Sequence, residues 1–547
     1  MSEQKKKNQK SSPRPARDLA AEAQQILDAF GAGVREDRDY PALHLAPPVG
    51  RLNDPNGLVF DGKRYHAFYQ YSPLHPERMV YWRHAVSEDL THWTDEGTAL
   101  VPDSRYDSHG CYSGSGIKVP GGFEFFYTGN VKDSKGNRET YQILATAGED
   151  AKPTRQLPPL ISGPEKGYTA HYRDPHVFQR DGLWWMVIGA QREDKTGAVV
   201  VYTSEDRRDW TFRGEIGIKD KTLKGSYMFE CPSLLTLRDE LTGELRDVLI
   251  FSPQGLEPLG EKYNNIFQSG YIVGSLDNKT LKFKVETPFT ELDAGFEFYA
   301  PQTISGTGLS ADPEAPHTAS GDAPVMIAWL GNADQDDLPS WSHRWVHMFT
   351  YPRELHLRNG KLFQRPVPQL NDAMEMKPLY REEEKGKLVE LKNALTFRLR
   401  GRVNVADERV KIKIKDTHGV ALSIVLDKDF VQMDRGGTRY TEGGSLRRRS
   451  LKRSKIREFD LLVDGSATEL YVGGKLAASM GTEVMTARTF FKGDKRRVRL
   501  TGGEVLSLGP PWLVRGLRLV RPERKVNKCA GGLTLLRGWA LALRYSA

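Results

Sequence analysis

Three acidic residues that lie far apart in the sequence stand in short motifs whose residue types could do chemistry. Asp54 belongs to the motif NDPNG, Asp174 to RDP and Glu230 to ECP. Each motif alone has a structural explanation, because Pro and Gly favour turns and an Arg beside an Asp favours an ion pair. Together they could cleave a glycosidic bond with retention, which needs a carboxylate nucleophile and a carboxylic acid that protonates the leaving oxygen. A third carboxylate can bond sugar hydroxyls and stabilise the oxocarbenium-like transition state.

The electrostatics of such a cluster depend on how close the three acids lie. Carboxylates that lie close together do not all ionise easily, so we expect the acid/base member to be held protonated by its neighbours. Arg173 stands directly beside Asp174 and is expected to keep that carboxylate charged. The hypothesis therefore requires a fold in which the three motifs meet.

The elements that would position the motifs show as a repeat. A turn followed by an aromatic or apolar strand recurs five times, with the turns at 61–62, 121–122, 181–182, 246–247 and 322–323. A Ser-x-Asp signal near a later strand recurs at 87–89, 204–206 and 275–277. Five copies of a multistrand unit predict a five-bladed β-propeller over residues 40–370, although periodicity alone would also allow a β-sandwich.

The motifs occupy equivalent places in the five copies. Three copies carry an acid there, while the second carries Tyr112-Ser113 and the fifth Tyr299-Ala300. The first strands of propeller blades surround the central axis, so equivalent positions would converge on one funnel. The joint appearance of the motifs, in this order, is what favours a catalytic function over turns and ion pairs.

The rest of the chain divides into three further parts. Residues 1–39 read as a basic tail followed by one amphipathic helix over 18–30, ended by Gly31 and Gly33. Residues 385–520 alternate apolar and polar positions and predict a β-sandwich. The segment 521–547 fits neither pattern. The predicted fold is thus all-β: a five-bladed β-propeller followed by a C-terminal β-sandwich, with a short N-terminal helix.

Composition narrows the partners and the compartment. The chain has 547 residues, a formal charge of +8 and three cysteines, with no apolar core after its basic start to indicate a secretory signal. These features favour a cytoplasmic protein without a membrane partner. The basic run at 447–457 is interpreted as a solvated face and not as a nucleic-acid site. Neither a metal nor a cofactor is expected, and the oligomeric state is left open.

The three motifs resemble the signatures of glycoside hydrolase family 32, which are W-M-N-D-P-N-G, R-D-P and E-C-P. The similarity runs from about residue 40 to at least 472, and the family fold is a five-bladed propeller followed by a β-sandwich. The resemblance implies that Asp54 is the nucleophile, Asp174 the transition-state stabiliser and Glu230 the general acid/base. It implies hydrolysis of terminal β-D-fructofuranosides, sucrose or sucrose 6-phosphate, by double displacement.

Further matching positions imply contacts with the sugar substrate. The residues concerned are Asn53, Gln70, Trp82, Tyr112, Ser113, Arg173, Glu297, Tyr299 and Trp329. Three positions depart from the family pattern: Arg51 replaces Trp, Arg83 replaces Gly and Glu297 replaces Asp. The two extra guanidiniums suggest either structural ion pairs or a site for an anionic leaving group such as a sugar phosphate.

Two other functions remain open at this point. A fructosyltransferase would use the same first step and pass the fructosyl group to a sugar instead of water. A carbohydrate-binding propeller without catalysis would need no acid/base pair, because fold alone does not fix function. Retention of all three acids favours an enzyme.

Overall fold

Strands dominate the structure, as the turn-and-strand repeat predicts. The computed structural model describes residues 18–308, 323–376, 395–473, 483–493, 496–508 and 512–513. The predictions for the tail at 1–17, the turn at 322–323 and the segment 521–547 lie wholly or partly outside the described residues. The described strands form seven sheets, numbered 1 to 7 here in chain order.

Sheets 1 to 5 each contain four antiparallel strands that neighbour one another in chain order. The strands are Gly50–Phe60, Tyr65–Ser72, Tyr81–Ser87 and Thr94–Leu100 in sheet 1; Cys111–Val119, Gly122–Lys132, Arg138–Ala147 and Thr154–Ile161 in sheet 2; Tyr168–Arg180, Leu183–Arg192, Gly197–Ser204 and Thr211–Glu215 in sheet 3; Met228–Arg238, Leu245–Gln254, Gly270–Leu276 and Lys282–Glu291 in sheet 4; and Tyr299–Thr303, Val325–Leu330, Arg353–Arg358 and Lys361–Pro366 in sheet 5. Three short strands are added, Trp345–Val346 to sheet 1, Gly217–Ile218 to sheet 4 and Met348–Phe349 to sheet 5.

The repeated turns connect the first and second strands of their sheets. This holds for the turns at 61–62, 121–122 and 181–182. The fourth predicted turn, at 246–247, is wrong, because both residues lie inside the strand Leu245–Gln254. The carboxylate of Asp247 accepts a hydrogen bond from the Leu276 backbone N–H (2.7 Å) and pairs with Arg180 (2.7 Å), so it links strands instead of forming a turn.

The Ser-x-Asp signal marks the connection between the third and fourth strands. Asp89 accepts backbone hydrogen bonds from Thr91 and His92, both at 2.8 Å. Asp206 accepts a backbone hydrogen bond from Asp209 at 2.9 Å, the equivalent contact in sheet 3. The aspartate therefore closes the same turn in different sheets, which is why the pattern recurs in the sequence.

The first strands of sheets 1 to 5 contact one another in a closed cycle. Sheet 1 contacts sheet 2 through these strands, and the contacts continue through sheets 3, 4 and 5 and back to sheet 1. Residues far apart in the sequence are thereby brought together at the centre of the cycle. This arrangement is what positions the three acidic motifs.

Sheets 6 and 7 follow and share an apolar core. Sheet 6 contains Glu375–Met376, Thr396–Asn404, Ile456–Asp464, Ala467–Gly473, Glu483–Arg488, Glu504–Leu508 and Trp512–Leu513. Sheet 7 contains Val410–Asp416, Gly419–Leu426, Phe430–Asp434, Leu446–Ser450 and Arg497–Thr501. Leu399 and Leu461 of sheet 6 pack in one cluster with Ile412 and Ile424 of sheet 7, and all four are fully buried.

The predicted N-terminal helix is confirmed, but its predicted end is wrong. The helix runs over Leu19–Val34, and the Asp18 side chain caps it by accepting a hydrogen bond from the Ala21 backbone N–H (3.0 Å). It continues past both glycines because its last turn packs on the protein, where Val34 is fully buried. The shorter helices are Lys221–Leu223, Pro339–His343 and Leu370–Ala373. Within the described ranges, no helix has the length and apolarity needed to cross a membrane.

The interpretation of the basic run at 447–457 as a solvated face is wrong for three of its arginines, which are buried. Arg447 donates to the backbone carbonyls of Gly295 (3.2 Å) and Gly443 (2.7 Å). Arg449 pairs with Glu291 at 2.7 Å, and Arg457 donates to the Lys428 carbonyl at 2.6 Å. These three guanidiniums are occupied inside the protein and do not present a phosphate-binding face.

Candidate active site

A β-bulge interrupts the first strand of each of sheets 1 to 5 at the equivalent place. In every case two residues of the first strand oppose one residue of the second; the bulged pairs are 53–54, 112–113, 174–175, 231–232 and 300–301. Bulges bend a strand and redirect its side chains, and they tolerate proline, which lies within three of the bulged pairs and directly after a fourth. The motifs are therefore bulges that aim side chains at the centre of the cycle.

Asp54 is held by a chain of hydrogen bonds between sheets 1 and 2. Its Oδ2 accepts a hydrogen bond from Ser113 Oγ at 2.6 Å. The same hydroxyl accepts from Gln70 Nε2 at 2.7 Å, and the Gln70 amide oxygen accepts in turn from Asn53. This chain fixes the orientation of the Asp54 carboxylate.

Glu230 has hydrogen-bond donors on both of its carboxyl oxygens. Arg173 Nε donates to Oε1 at 2.9 Å, and a second nitrogen of the same guanidinium bonds that oxygen. Gln254 Nε2 donates to Oε2 at 2.8 Å, and the Tyr299 hydroxyl donates to the same atom. Arg173 thus pairs with Glu230 of the neighbouring sheet and not with the adjacent Asp174.

Asp174 is bound by the backbone of the ECP motif. The Cys231 N–H donates to Asp174 Oδ2 at 3.0 Å, and the Asp174 N–H donates to Thr128 Oγ1 at 3.0 Å. The Cys231 sulfur lies 3.6 Å from Asp174 Oδ2 and 4.0 Å from Asp54 Oδ2. The two aspartates therefore face the same thiol, and the ECP bulge contacts both.

The pKa values of both aspartates are raised. Burial is the main cause for Asp54, and together with the Glu230 charge it outweighs the Ser113 hydrogen bond and raises the pKa to about 6. Burial is also the main cause of the raised pKa of Asp174. Burial and the charges of Glu230 and Asp54 together outweigh the charge of Arg173, which lowers this pKa. The expectation that Arg173 keeps Asp174 fully ionised is therefore wrong. The two aspartates therefore keep their protons to a higher pH than an exposed aspartate does.

Most of the predicted substrate contacts lie in or beside this cluster. Hydrogen bonds connect five of them directly to the acids or to their partners: Asn53, Gln70, Ser113, Arg173 and Tyr299. Trp329 packs edge-on to Tyr299, with ring centroids 6.2 Å apart. The Tyr112 ring is partly exposed on the bulge of sheet 2. That these seven residues touch a sugar stays a prediction.

Two of the predicted substrate contacts do not fit that role. Trp82 is fully buried, and its indole N–H donates to the Tyr112 carbonyl at 3.0 Å, so it supports the bulge from behind. Glu297 is also fully buried and faces sheets 6 and 7, where it pairs with Arg435 (2.6 Å) and accepts from the Arg488 N–H (2.9 Å). Its position just before the fifth motif suggested a cleft residue, but the chain turns its side chain away.

The two arginines that replace family residues both form ion pairs. Arg83 is buried and donates to Asp95 through two nitrogens, with Nε 2.6 Å from Oδ1, so it does not reach the cleft. Arg51 Nε lies 3.3 Å from Asp336 Oδ1, and its guanidinium sits over the Trp329 ring at 5.2 Å. The structural explanation is the better one for both, and the use of Arg83 as a phosphate ligand is wrong.

Sequence reasoning missed three residues that contact the acids: Thr128, Cys231 and Gln254. Thr128 lies opposite the bulge on the second strand of sheet 2, as Gln70 does in sheet 1. Gln254 ends the second strand of sheet 4. Aligning the second strands of the five copies would have indicated this support. In the part of the chain that the structure describes, no group of three or more His, Cys, Asp or Glu side chains could hold a metal ion.

Comparisons with known proteins test the predicted family. The model of the glycosyl hydrolases family 32 N-terminal domain matches residues 44–366. A sucrose-6-phosphate hydrolase from Bacillus subtilis (strain 168) is 34% identical over 493 residues, covering 85% of this chain and 92% of that protein. A raffinose invertase from Escherichia coli is 37% identical over 354 residues, covering 64% and 68%.

Solved structures give the same answer. A sucrose-6-phosphate hydrolase from Lactobacillus gasseri superposes with a TM-score of 0.78 at 27% identity, covering 90% of this chain and 96% of that one. A mutant family 32 β-fructofuranosidase from Bombyx mori in complex with sucrose gives a TM-score of 0.76 at 25% identity, covering 91% and 99%. The family predicted from the NDPNG, RDP and ECP motifs is thus confirmed, and the chain belongs to glycosyl hydrolase family 32.

Proposed function

We propose that this protein is a retaining β-fructofuranosidase that hydrolyses sucrose and sucrose 6-phosphate. The observation that carries the proposal is that the bulged first strands of sheets 1, 3 and 4 bring three carboxyl groups into one cluster, each held by its own set of donors. Relatives named sucrose-6-phosphate hydrolase and a structural neighbour in complex with sucrose support this substrate class.

In the first step, Asp54 attacks the anomeric C2 of the fructosyl group, and Glu230 protonates the departing glucosyl oxygen. The hydrogen bond from Ser113 orients the attacking carboxylate. Attack requires Asp54 to be ionised, and its raised pKa makes it a carboxylate only above about pH 6. Asp174 would bond fructosyl hydroxyls and favour the positive charge that develops on the ring.

In the second step, Glu230 acts as a base and removes a proton from water, which attacks the fructosyl-enzyme and releases fructose. Arg173, Gln254 and Tyr299 hold the Glu230 carboxyl in place during both steps.

For the architecture, we propose a five-bladed propeller over residues 40–370 and a β-sandwich over 385–520. Sheets 1 to 5 lie between Gly50 and Pro366, and the closed cycle of first strands supports radial symmetry. The common core of sheets 6 and 7 supports a sandwich. The propeller would place the acids at the funnel, while the sandwich would add no residue to them.

Product analysis tests the proposed function. The wild type and the Asp54→Asn variant are incubated with sucrose, and glucose and fructose are quantified over time. Equal amounts of the two sugars from the wild type alone are the expected result. Excess glucose with longer oligosaccharides would instead indicate fructosyl transfer, and no turnover of sucrose, sucrose 6-phosphate or inulin would overturn the proposal.

A further inference from the structure

A group of basic side chains lies beside the Arg173–Glu230 pair and takes no part in the proposed mechanism. His171 is on the first strand of sheet 3, two residues before Arg173. Arg138 begins the third strand of sheet 2, and Lys195 lies in the turn between the second and third strands of sheet 3. In an antiparallel meander, the start of the first strand, the turn between the second and third strands and the start of the third strand share one end of the sheet. His171 and Lys195 therefore lie at this end of sheet 3, and Arg138 lies at the corresponding end of sheet 2.

The contact between His171 and Arg173 fixes which ring nitrogen carries a proton. Arg173 Nη1 lies 3.0 Å from His171 Nδ1, and a guanidinium can only donate, so Nδ1 is the acceptor. His171 is therefore neutral and carries its proton on Nε2. Burial and then the charges of Arg173 and Arg138 lower its pKa to about 4, which keeps this form at neutral pH. Partly exposed, His171 offers Nε2–H to a ligand.

The two cations near His171 are not neutralised by carboxylates. Arg138 donates to Asn130 Oδ1 at 2.6 Å and lies 5.4 Å from the centroid of the Tyr112 ring. Among the described residues, no carboxylate oxygen comes within ion-pair distance of Arg138 or Lys195, whereas Arg51 and Arg78 both pair with Asp336. On the side of the site that sheets 2 and 3 form, no described carboxylate thus neutralises Arg138 or Lys195. On the side where Arg51 and Arg78 lie, Asp336 neutralises the positive charge.

We propose that Arg138, His171 and Lys195 form an anion subsite that binds the phosphate of a phosphorylated leaving sugar. This inference rests on the proposed function, because the leaving sugar must lie next to Glu230, which protonates it. The Arg173 guanidinium contacts both Glu230 and His171, so only this group separates Glu230 from the subsite. A phosphate dianion would accept hydrogen bonds from Nε2–H of His171 and from both cations.

The test compares two substrates in charge-neutralised variants. kcat/KM is measured for sucrose 6-phosphate and for sucrose with the wild type, Arg138→Gln, Lys195→Gln and the double variant. We expect the ratio of the two constants to fall about 10- to 100-fold in the double variant, since charge-assisted hydrogen bonds to phosphate are lost. Lys282→Gln, an exposed cation on the fourth strand of sheet 4, is the matched control and should leave the ratio unchanged.

Two results would overturn the subsite: an unchanged ratio in the double variant, or a loss of the ratio in Arg78→Gln instead. If the wild type cleaves neither substrate, the proposed function fails, and calorimetry with glucose 6-phosphate then tests the subsite by itself. Weaker binding to the double variant than to the wild type would support it. Equal binding, or none to the wild type, would reject it.

Discussion

Two of the regions that bury carboxylates differ in how far the partners of an acid oppose burial. In the acid cluster, the pKa of Asp54 rises to about 6. In a second region between sheets 5 and 6, which we call the Arg353 network, the pKa of Glu469 falls to about 2. Burial raises the pKa in both places, so the difference comes from the partners that each carboxylate has.

The Arg353 network provides a cation for each of its main acids. Arg353 Nη2 donates to Glu469 Oε2 at 3.0 Å, and His44 Nε2 lies 3.3 Å from Glu469 Oε1. His44 Nδ1 also bonds Asp464 at 2.7 Å, and these bonds outweigh burial and raise the pKa of His44 to about 9. Asp293 also bonds Arg353, but burial outweighs this bond, so the pKa of Asp293 is raised and not lowered.

The acid cluster lacks such compensation. The only guanidinium that bonds its acids among the described residues is Arg173, which is bound to Glu230. Asp54 has a neutral serine as its donor and Asp174 a backbone N–H. The comparison teaches that the pKa of a buried carboxylate follows the balance between burial and its partners: Glu469, with two cationic partners, ionises readily, whereas Asp54, with none bonded to it, keeps its proton to a higher pH.

The largest expected effect is the loss of activity when the acid/base group is removed. Glu230→Gln keeps the shape and the donors around it but has no proton to give, so kcat on sucrose should fall about 10²- to 10⁴-fold. Initial rates with purified protein measure this loss. Glu297→Gln is the control, since Glu297 is a glutamate buried more deeply than Glu230 that bonds Arg435 instead. A similar fall in the kcat of its folded fraction would contradict the assignment.

The next effect is on stability, in the other region. Arg353→Met leaves Glu469 and Asp293 buried without their cation and should lower the free energy of unfolding by about 3–5 kcal/mol. Urea titration measures this change, and the kcat of the folded fraction should stay within about threefold. Arg192→Met removes a partly exposed partner of the partly exposed Glu215 and should cost about 1 kcal/mol or less. Equal losses in both variants would refute the role of the network.

Replacing a carboxylate by its amide should change the free energy of unfolding with opposite signs in the two regions. Asp54 binds its proton more tightly in the folded state than in the unfolded chain, so this contribution to stability is full at low pH and lost as pH rises through about 6. Asp54→Asn should therefore stabilise the protein at pH 7 by about 1–3 kcal/mol, the lower value allowing for its partial exposure. Glu469→Gln should destabilise it, because the pKa of Glu469 is lowered. Urea titrations that give both variants the same sign would end the comparison.

The sequence predicts the acids well because local turn chemistry repeats with the fold. The aspartates of the Ser-x-Asp turns bond residues two or three positions further along the chain. Adjacent residues likewise form the bulges of the NDPNG, RDP and ECP motifs. The spacing of both patterns can therefore be read from the sequence. Convergence of Asp54, Asp174 and Glu230 then follows only if the five copies close into a cycle, which periodicity alone leaves open.

Contacts between distant segments are what the sequence does not show. Arg173 bonds Glu230, 57 residues away, in preference to the adjacent Asp174. Glu297 turns towards Arg435, 138 residues away, although its neighbours belong to the site. Both errors come from assigning partners by proximity in the sequence, whereas packing between different sheets decides which of these side chains meet.

The smallest effect concerns the hydrogen bond that moderates Asp54. In the wild type, kcat/KM should fall as pH drops through about 6, because protonated Asp54 does not attack. The Ser113 hydroxyl stabilises the carboxylate, so Ser113→Ala should raise the pKa of Asp54 and move this acid limb upward by about one unit. Ser115→Ala on the same strand is the control, because Ser115 Oγ accepts from the Val177 N–H instead. If the acid limb of the kcat/KM profile stays at the same pH in Ser113→Ala, then the protonation of Asp54 does not determine that limb. The loss of activity at low pH would then have to come from a group other than this carboxylate without a cation.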